Sequence, residues 1–184
     1  GAGRLFLRHV DLANAKLLID IGGGSGAYCI EACKANPNLK AVVLDLPAVV
    51  PVTREFIAEN GLEDRIEAVA CDFNSDPFPG GADVAVMASN LPMYGREAFA
   101  AVAKKAYAAM APGGGFHLIG EALDADRSGP ADPAMWGLAQ AINNTTGIAH
   151  SVAEVEGYLT TAGFRDVETL EFVEGILQRT TGVK

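Results

Sequence analysis

Three glycines at alternate positions, Gly22, Gly24 and Gly26, have the spacing in this chain that points most directly to chemistry. They follow an apolar run rich in β-branched residues, which is typical of a buried parallel strand and contains one acid, Asp20. Glycine tolerates a positive φ and has no Cβ, so the backbone of such a bend can touch a ligand directly. A helix beginning near Ala27 would add free N–H groups at its amino end. This strand–bend–helix pattern predicts a site for a nucleotide-like cofactor.

Two further acids follow the next two apolar runs. Asp45 comes after the second run, and Asp72 with Phe73 comes after the third. Because neighbouring parallel strands end at the same edge of a sheet, we expect both carboxylates to line one crevice. Asp45 could accept hydrogen bonds from both hydroxyls of a ribose, and Asp72 could accept one from an adenine amino group with Phe73 against the ring. Either carboxylate would repel a phosphorylated ribose.

A dinucleotide-binding protein is the first alternative. The bend also fits the pattern G-x-G-x-x-A, and Asp45 would then hold the ribose of NAD, as in a dehydrogenase. The third glycine, Gly26, and the second acid, Asp72, favour a cofactor that has no pyrophosphate.

Strand and helix patterns alternate along most of the chain and must position these residues. The periodicity predicts strands over 16–21, 41–44, 66–70, 83–88 and 116–120, and helices over 27–35, 48–60, 96–110 and 135–143. Pro51 falls early in the second helix and predicts a kink there. We expect a turn at 112–114, an irregular excursion over 122–133, and an uninformative helical lead-in over 1–12.

The end of the chain departs from this alternation. Ser151 and Glu154 form a capping-box pattern for a helix that Gly163 ends, and 167–173 and 175–181 read as a hairpin. We therefore predict an α/β fold with a doubly wound, mostly parallel seven-stranded sheet and a carboxyl-terminal antiparallel hairpin. Residues 1–184 should form one domain.

Composition argues against several classes of partner. The chain has 184 residues and a net charge of −9, which repels phosphate backbones and makes nucleic acid an unexpected partner. Neither a membrane-spanning apolar run nor a signal peptide is visible, so we expect no membrane partner and a cytoplasmic location. The three cysteines have no metal-ligand or C-x-x-C spacing, which indicates packing roles and no metal site. Because the chain begins with Gly1 and not Met, we expect it to be part of a longer protein.

Five segments in order carry a resemblance to a known family. They are Ile19-Asp20-Ile21-Gly22-Gly23-Gly24-Ser25-Gly26, Asp45-Leu46-Pro47, Cys71-Asp72-Phe73, Ala111-Pro112-Gly113-Gly114 leading to Glu121, and Ala162-Gly163-Phe164. With these segments the chain resembles class I S-adenosylmethionine-dependent methyltransferases, and within that class the O-methyltransferases of plant and bacterial secondary metabolism. The resemblance implies S-adenosylmethionine as cofactor, S-adenosylhomocysteine as product and a small-molecule acceptor. It also implies a homodimer, formed through an amino-terminal helical domain that precedes this chain.

The resemblance further implies roles for individual residues. The bend would pack against the methionine part of the cofactor, and the acids after the second and third strands would hold its ribose and adenine. The implied cofactor-binding residues are Asp20, Gly22, Gly24, Gly26, Asp45, Leu46, Asp72, Phe73 and Ser89. Ser89 and Asn90 would flank the methyl group. The implied catalytic residues are Glu121, Asn90 and Tyr94, with Glu121 and Tyr94 orienting the acceptor.

The chain departs from the family where its general base belongs. Members place a His-Asp pair after the fourth strand, and here Pro92 and Met93 stand at those positions, while a later family Glu falls on Ala149. Neither Pro nor Met can take a proton, which disfavours base-driven O-methylation. Two interpretations stay open: methyl transfer by positioning alone, to oxygen, nitrogen or carbon of a small molecule, and a non-catalytic cofactor-binding module.

Other residues near the site have alternative explanations. The run Asn90–Tyr94 is also similar to the Asn-Leu-Pro-Tyr segment of adenine N6-methyltransferases that act on ribosomal RNA, but the acidic charge disfavours RNA. Glu121 could equally be a solvated loop acid. His150 could act as a base, but we expect it at the surface before a helix cap. We expect His117 and Trp136 in the core, although the resemblance implies that the helix of Trp136 helps to line the acceptor pocket.

Overall fold

The computed structural model describes residues 1–143 and 146–184. The strands are β1 (Leu17–Ile21), β2 (Lys40–Asp45), β3 (Ile66–Ala70), β4 (Ala82–Ala88), β5 (Met110–Gly120), β6 (Arg165–Val173) and β7 (Leu177–Val183). The helices are α1 (Ala2–His9), α2 (Ala27–Ala35), α3 (Val50–Glu59), α4 (Arg96–Ala109), α5 (Ala131–Asn143) and α6 (Val152–Ala162), with a single 3-10 turn at Leu91–Met93.

The strands form one seven-stranded sheet in the order β3-β2-β1-β4-β5-β7-β6. The first five strands in this order are parallel, and β7 runs antiparallel to both β5 and β6. The predicted doubly wound α/β fold with its closing hairpin is confirmed. The strand order reverses between β1 and β4, and in open sheets of this type the ligand crevice lies at the carboxyl ends of the strands at that point.

Both faces of the central strands are buried, which explains their continuous apolar character. On one face Leu18 belongs to an apolar cluster with Cys29 of α2 and Ile57 of α3. Its neighbour Ile19 points to the opposite face and belongs to a cluster with Phe99 of α4. Two helical layers thus fix β1, and with it the bend that follows.

The amino-terminal helix is an integral part of the first layer. Phe6 is fully buried, and its ring meets the edges of Tyr28 and His117 at centroid distances of 5.5 and 5.6 Å. Gly3 packs so closely that a Cβ there would lie 2.6 Å from the carbonyl oxygen of Ala27. The predicted helical lead-in is confirmed, and its packing into the core is what the sequence did not reveal.

Three element boundaries differ from prediction for local reasons. Helix α3 begins at Val50, so Pro51 lies in the first turn, where its missing N–H breaks no intrahelical hydrogen bond and no kink is needed. Strand β5 begins at Met110, and the N–H of Gly113 donates to the carbonyl of Lys184 over 2.9 Å, which pairs the predicted turn with the end of the chain. Helix α5 begins at Ala131, inside the predicted excursion.

The predicted features of the last third are present. Ser151 and Glu154 exchange the two hydrogen bonds of a capping box, and Gly163 ends α6 with a φ of 114°. Gly175, at φ 67°, lies in the turn that joins β6 to β7. Within the part of the chain described, no helix is both long enough and apolar enough to cross a membrane.

Candidate functional site

The bend after β1 is built by glycines and tied to β2 by an acid. Gly22, Gly24 and Gly26 have φ values of 74°, 54° and 73°, a region that strongly favours glycine. One carboxylate oxygen of Asp45 accepts a hydrogen bond from the N–H of Gly24, and the other accepts one from the N–H of Leu46, both over 2.8 Å. Asp45 is half-buried, so its remaining lone pairs face outward and can accept from a ligand. The Asp45 carboxylate thus stabilises the bend and can still accept hydrogen bonds from a ligand.

The glycines of the bend differ in what surrounds them. A Cβ on Gly24 would meet nothing within 4 Å, whereas one on Gly22 would collide with the amide nitrogen of Asn90 and lie 3.2 Å from the Phe73 ring. Asn90 reaches the bend because that Cβ is absent, and its amide donates to the carbonyl of Ile21 over 3.2 Å. The bend is thus covered by Asn90 on one side and open at Gly24.

Asp20 lies beneath the bend in an unusual electrostatic environment. Its side chain is 1% exposed, and neither carboxylate oxygen has a hydrogen-bond partner among residues 1–143 and 146–184. Burial, with a contribution from the Asp45 charge, raises the pKa of Asp20 to about 7. A Cβ on Gly23 would come within 2.5 Å of this carboxyl group. A buried acid without a partner beside a backbone cradle fits a cofactor that carries positive charge.

The loop after β3 holds Asp72 and Phe73 in place. Asp72 is exposed, and its carboxylate accepts the N–H of Asn74 over 2.9 Å, which lowers its pKa. The Lys105 ammonium, on α4, donates to the carbonyls of Phe73 and Asp76. Phe73 is buried with its ring centroid 6.5 Å from that of Tyr94. One carboxylate oxygen of Asp72 therefore stabilises the turn that contains it, and the side chain remains exposed to solvent.

The environment of Tyr94 includes both of the predicted carboxylates, Asp45 and Asp72. Burial raises the pKa of Tyr94 to about 12, and the charges of Asp45 and Asp72 both add to that shift. The phenol therefore stays protonated near neutrality and can donate a hydrogen bond. Tyr94 is thus within electrostatic range of Asp45, which ends β2, and of Asp72, which follows β3.

The segment after β4 shapes the far side of the crevice. Ser89 has a φ of 61°, rare for a residue with a side chain, and its N–H donates to the carbonyl of Ile119 over 2.9 Å. Asn90 is buried, and within the described residues its amide oxygen has no partner. Pro92 is buried as well, while Met93 is 44% exposed. Neither side chain can accept a proton.

His150 does not lie where the sequence analysis placed it. It is 1% exposed, so the expected surface position was wrong. Its Nε2 lies 2.8 Å from the carbonyl oxygen of Tyr94, which can only accept, so Nε2 carries the proton and Nδ1 accepts from the Tyr158 hydroxyl at 3.1 Å. Burial lowers its pKa. The neutral His150 side chain thus links α6 to the segment that contains Tyr94. The occurrence of Tyr158 eight residues after His150 was the sequence feature that could have indicated this contact.

Glu121 directly follows the last residue of β5. It lines a cavity of about 420 Å³ with Asp132, Met135 and Trp136 of α5. Trp136 is 45% exposed, so its predicted core position was wrong. His117, in contrast, is buried as predicted, beside the guanidinium of Arg179.

A second cavity, of about 660 Å³, lies between α3 and the edge strand β3 and contains none of the predicted site residues. Its position at the outer edge of the sheet separates it from the bend. The described residues contain no group of His, Cys, Asp and Glu side chains that could hold a metal ion.

Comparisons with known proteins agree with this geometry. The family model described as an O-methyltransferase domain matches residues 2–165. The 3-hydroxy-5-methyl-1-naphthoate 3-O-methyltransferase of Streptomyces sahachiroi is 36% identical over 170 residues, which are 92% of this chain and 49% of that protein. The L-tyrosine C(3)-methyltransferase of Streptomyces lavendulae is 33% identical over 174 residues, 94% of this chain and 47% of that protein.

Solved structures show the same architecture. PigF with SAH superposes with a TM-score of 0.90 at 27% identity, over 99% of this chain and 54% of that chain. Human N-acetylserotonin methyltransferase in complex with SAM gives a TM-score of 0.84 at 29% identity, over 99% of this chain and 51% of that one. The chain spans about half the length of the curated relatives it matches.

Proposed function

The chain belongs to the O-methyltransferase family, and from this premise we propose that it binds S-adenosylmethionine at the glycine bend and methylates a small organic acceptor. When bound, that cofactor supplies a methyl group on a positively charged sulfur. The observation that carries the proposal is the buried, unpartnered carboxyl of Asp20 below a bend that is open at Gly24 and tied to Asp45.

We propose that the cofactor is held by the residues that surround this bend. The outward lone pairs of Asp45 would take the ribose hydroxyls, and Asp72 with the buried Phe73 ring would take the adenine. Leu46 is 52% exposed and would cover one side of the ligand. Ser89 and the backbone at Gly22, Gly24 and Gly26 complete the cofactor-binding set, with Asp20 as its buried acid.

Catalysis would depend on orientation more than on proton removal. The free amide oxygen of Asn90 can accept a hydrogen bond from an O–H or N–H of the acceptor, and the Tyr94 phenol can donate one. Glu121 would help to orient the acceptor, and the released proton would pass to water. Correct placement of reacting groups can lower a barrier by about 7–11 kcal/mol, so transfer to a reactive nucleophile needs no strong base.

Two relatives differ in the atom that they methylate. The naphthoate enzyme is named for transfer to oxygen and the tyrosine enzyme for transfer to carbon. Pro92 and Met93, at the positions of the family His-Asp pair, make nitrogen or carbon methylation, or a repurposed non-catalytic module, the second candidate.

The experiment is calorimetry with S-adenosylhomocysteine, followed by turnover with an acceptor panel. We expect saturable binding that Asp45→Ala weakens about tenfold, the effect of losing hydrogen bonds to a charged group. Asp64→Ala, an exposed acid outside the bend, should leave binding unchanged. Absence of binding would refute the proposal, and binding without turnover on any acceptor would favour the non-catalytic module.

We further propose that the functional protein is a homodimer, assembled through an amino-terminal domain, that acts in the cytoplasm on a secondary metabolite. Its support is the length of the relatives, about twice the matched region, and the Streptomyces naphthoate enzyme among them. Light scattering of the product of the complete gene should give a dimer mass. A monomer mass at working concentration would contradict this.

A further inference from the structure

An open surface cavity between the end of β5 and α5 has an uncommon lining. Glu121 and Asp132 supply two carboxylates, Trp136 an indole and Met135 a thioether, around a volume of about 420 Å³. The register of β4 with β5 pairs Ala88 with Ile119, so Glu121 leaves the sheet at the same edge as Asn90. A molecule in this cavity would therefore lie next to the proposed site of methyl transfer.

Helix α5 is locked against the neighbouring segment by two close backbone contacts. A Cβ on Gly137 would collide with the backbone of Ala149, and one on Gly147 would lie 2.6 Å from the Cβ of Gln140. These contacts occupy the side of the helix that carries Gly137 and Gln140. Trp136, one residue before Gly137, lies beside this contact side; it is 45% exposed and lines the cavity.

The carboxylates of the cavity have no cationic partner. Across residues 1–143 and 146–184, no hydrogen bond or ion pair engages the side chain of Glu121 or Asp132. Two arginines of adjoining segments, Arg96 and Arg127, are both committed to Glu154 over 2.7 Å. The cavity is therefore a negatively charged, aromatic-lined space that lacks a counter-ion.

We propose that this cavity binds the ammonium group and ring of an aromatic amine and so selects acceptors of that class. Carboxylates accept charge-assisted hydrogen bonds from an ammonium, an indole face attracts a cation, and a thioether packs well against an aromatic ring. An ammonium nitrogen has no lone pair, so the amine serves as a handle and the methyl group goes to another atom. The selection of acceptors rests on the proposed function, whereas the binding does not.

Trp136 makes the test direct, because it is the single tryptophan of the chain. Its fluorescence can be followed while phenethylamine, phenethyl alcohol and hydrocinnamate, which share a ring and differ in charge, are titrated into the purified protein. We expect phenethylamine to bind about tenfold more tightly than the alcohol, the scale of a cation–π contact plus a partly exposed ion pair. Hydrocinnamate should bind more weakly than either. Equal affinity for the three probes, or no response at all, would overturn the proposal.

Variants distinguish binding of the amine in the cavity from a general attraction of cations to an acidic protein. Glu121→Gln and Asp132→Asn should each weaken phenethylamine about fivefold and leave phenethyl alcohol unchanged. Glu55→Gln removes an exposed charge on α3 and should change neither; an equal loss in that variant would refute the assignment. Calorimetry with S-adenosylhomocysteine on the same samples keeps the two proposals apart. Cofactor binding without amine preference defeats only the cavity assignment, and amine preference without cofactor binding defeats only the proposed function.

Discussion

Asp20 is the residue whose environment departs most from what an acid prefers. Its pKa lies near 7, against an ordinary value of 3.8, so the folded protein holds a proton there that the unfolded chain has already lost. By linkage, stability falls as pH rises through the interval between these two values. An acid with such an energetic cost at neutral pH is expected at a functional site more than in a structural core.

We predict that Asp20→Asn removes this loss. Between about pH 4 and about pH 8 the parent protein should lose up to about 4 kcal/mol of unfolding free energy relative to the variant, from 1.4 kcal/mol per pKa unit. Chemical denaturation at several pH values, without cofactor, measures the difference. Asp64→Asn, at an exposed position, is the matched control and should track the parent. Parallel curves for Asp20→Asn and the parent would show that Asp20 is not protonated in the fold.

His150 illustrates a residue whose role depends on contacts between distant segments. It joins the Tyr94 carbonyl to the Tyr158 hydroxyl, across 56 and 8 residues of sequence. The sequence placed it correctly beside a helix cap but could not show which segments pack over it. The exposure of Trp136 was missed for the same reason, because the close packing of Gly137 of α5 against Ala149 is a tertiary contact that the sequence does not show.

We predict that His150→Phe lowers stability by about 1–3 kcal/mol, because the buried carbonyl of Tyr94 loses its donor. Tyr158→Phe removes a hydroxyl and leaves that carbonyl satisfied, so it should cost less, about 1 kcal/mol. Thermal unfolding of the two variants compares them. If Tyr158→Phe lowers the stability more than His150→Phe does, the hydrogen bond to the Tyr94 carbonyl is not the main stabilising contact of His150.

At the scale of elements, the loop after β3 depends on a cation from α4. Lys105 donates to the carbonyls of Phe73 and Asp76, and its ammonium lies 4.9 Å from the Phe78 ring centroid. These contacts hold the backbone that presents Asp72. Helix α4 therefore positions the loop for which we propose cofactor binding.

We predict that Lys105→Met weakens S-adenosylhomocysteine binding about five- to tenfold, because the loop must be ordered on binding. Lys105→Arg should retain most of the affinity, since a guanidinium can still reach the carbonyls. Lys104→Met is the control, as the neighbouring side chain is exposed and faces away. Calorimetry with S-adenosylhomocysteine on the three variants measures these affinities. An equal loss in Lys104→Met would point to overall charge and not to the loop.

The elements themselves were predictable from local pattern. The alternation of apolar runs, the alternate glycines and the capping box at Ser151 each appear where the sequence placed them. Pro51 was misjudged because a proline in the first turn and one in a helix interior look alike until the start of the helix is known. The extension of β5 back to Met110 depends on pairing with Lys184, a contact that no local pattern contains.

For the whole molecule, two buried groups on different elements give opposing responses to pH. Burial, with the nearby Arg179 charge, lowers the pKa of His117 to about 3 from its ordinary 6.5, so the unfolded chain takes up that proton first and stability falls on acidification. His150, whose pKa burial also lowers, acts in the same direction. Asp20 acts in the opposite direction, since its contribution grows as pH falls from about 7. Where the two pH ranges overlap, the effect of Asp20 cancels that of His117 and leaves the smaller effect of His150.

We therefore predict a stability plateau in the parent protein between about pH 4 and about pH 6.5, which single substitutions remove in opposite senses. Asp20→Asn should lose stability on acidification through that range, because only the histidine effects remain. His117→Asn keeps an acceptor for the Arg179 guanidinium and should instead gain stability on acidification, by at most about 3 kcal/mol from Asp20, less the opposing effect of His150. His9→Asn, at an exposed histidine on α1, should reproduce the parent curve. Denaturation series on these proteins test the balance directly: a plateau that survives in both single variants would mean that the pH response of the fold arises elsewhere.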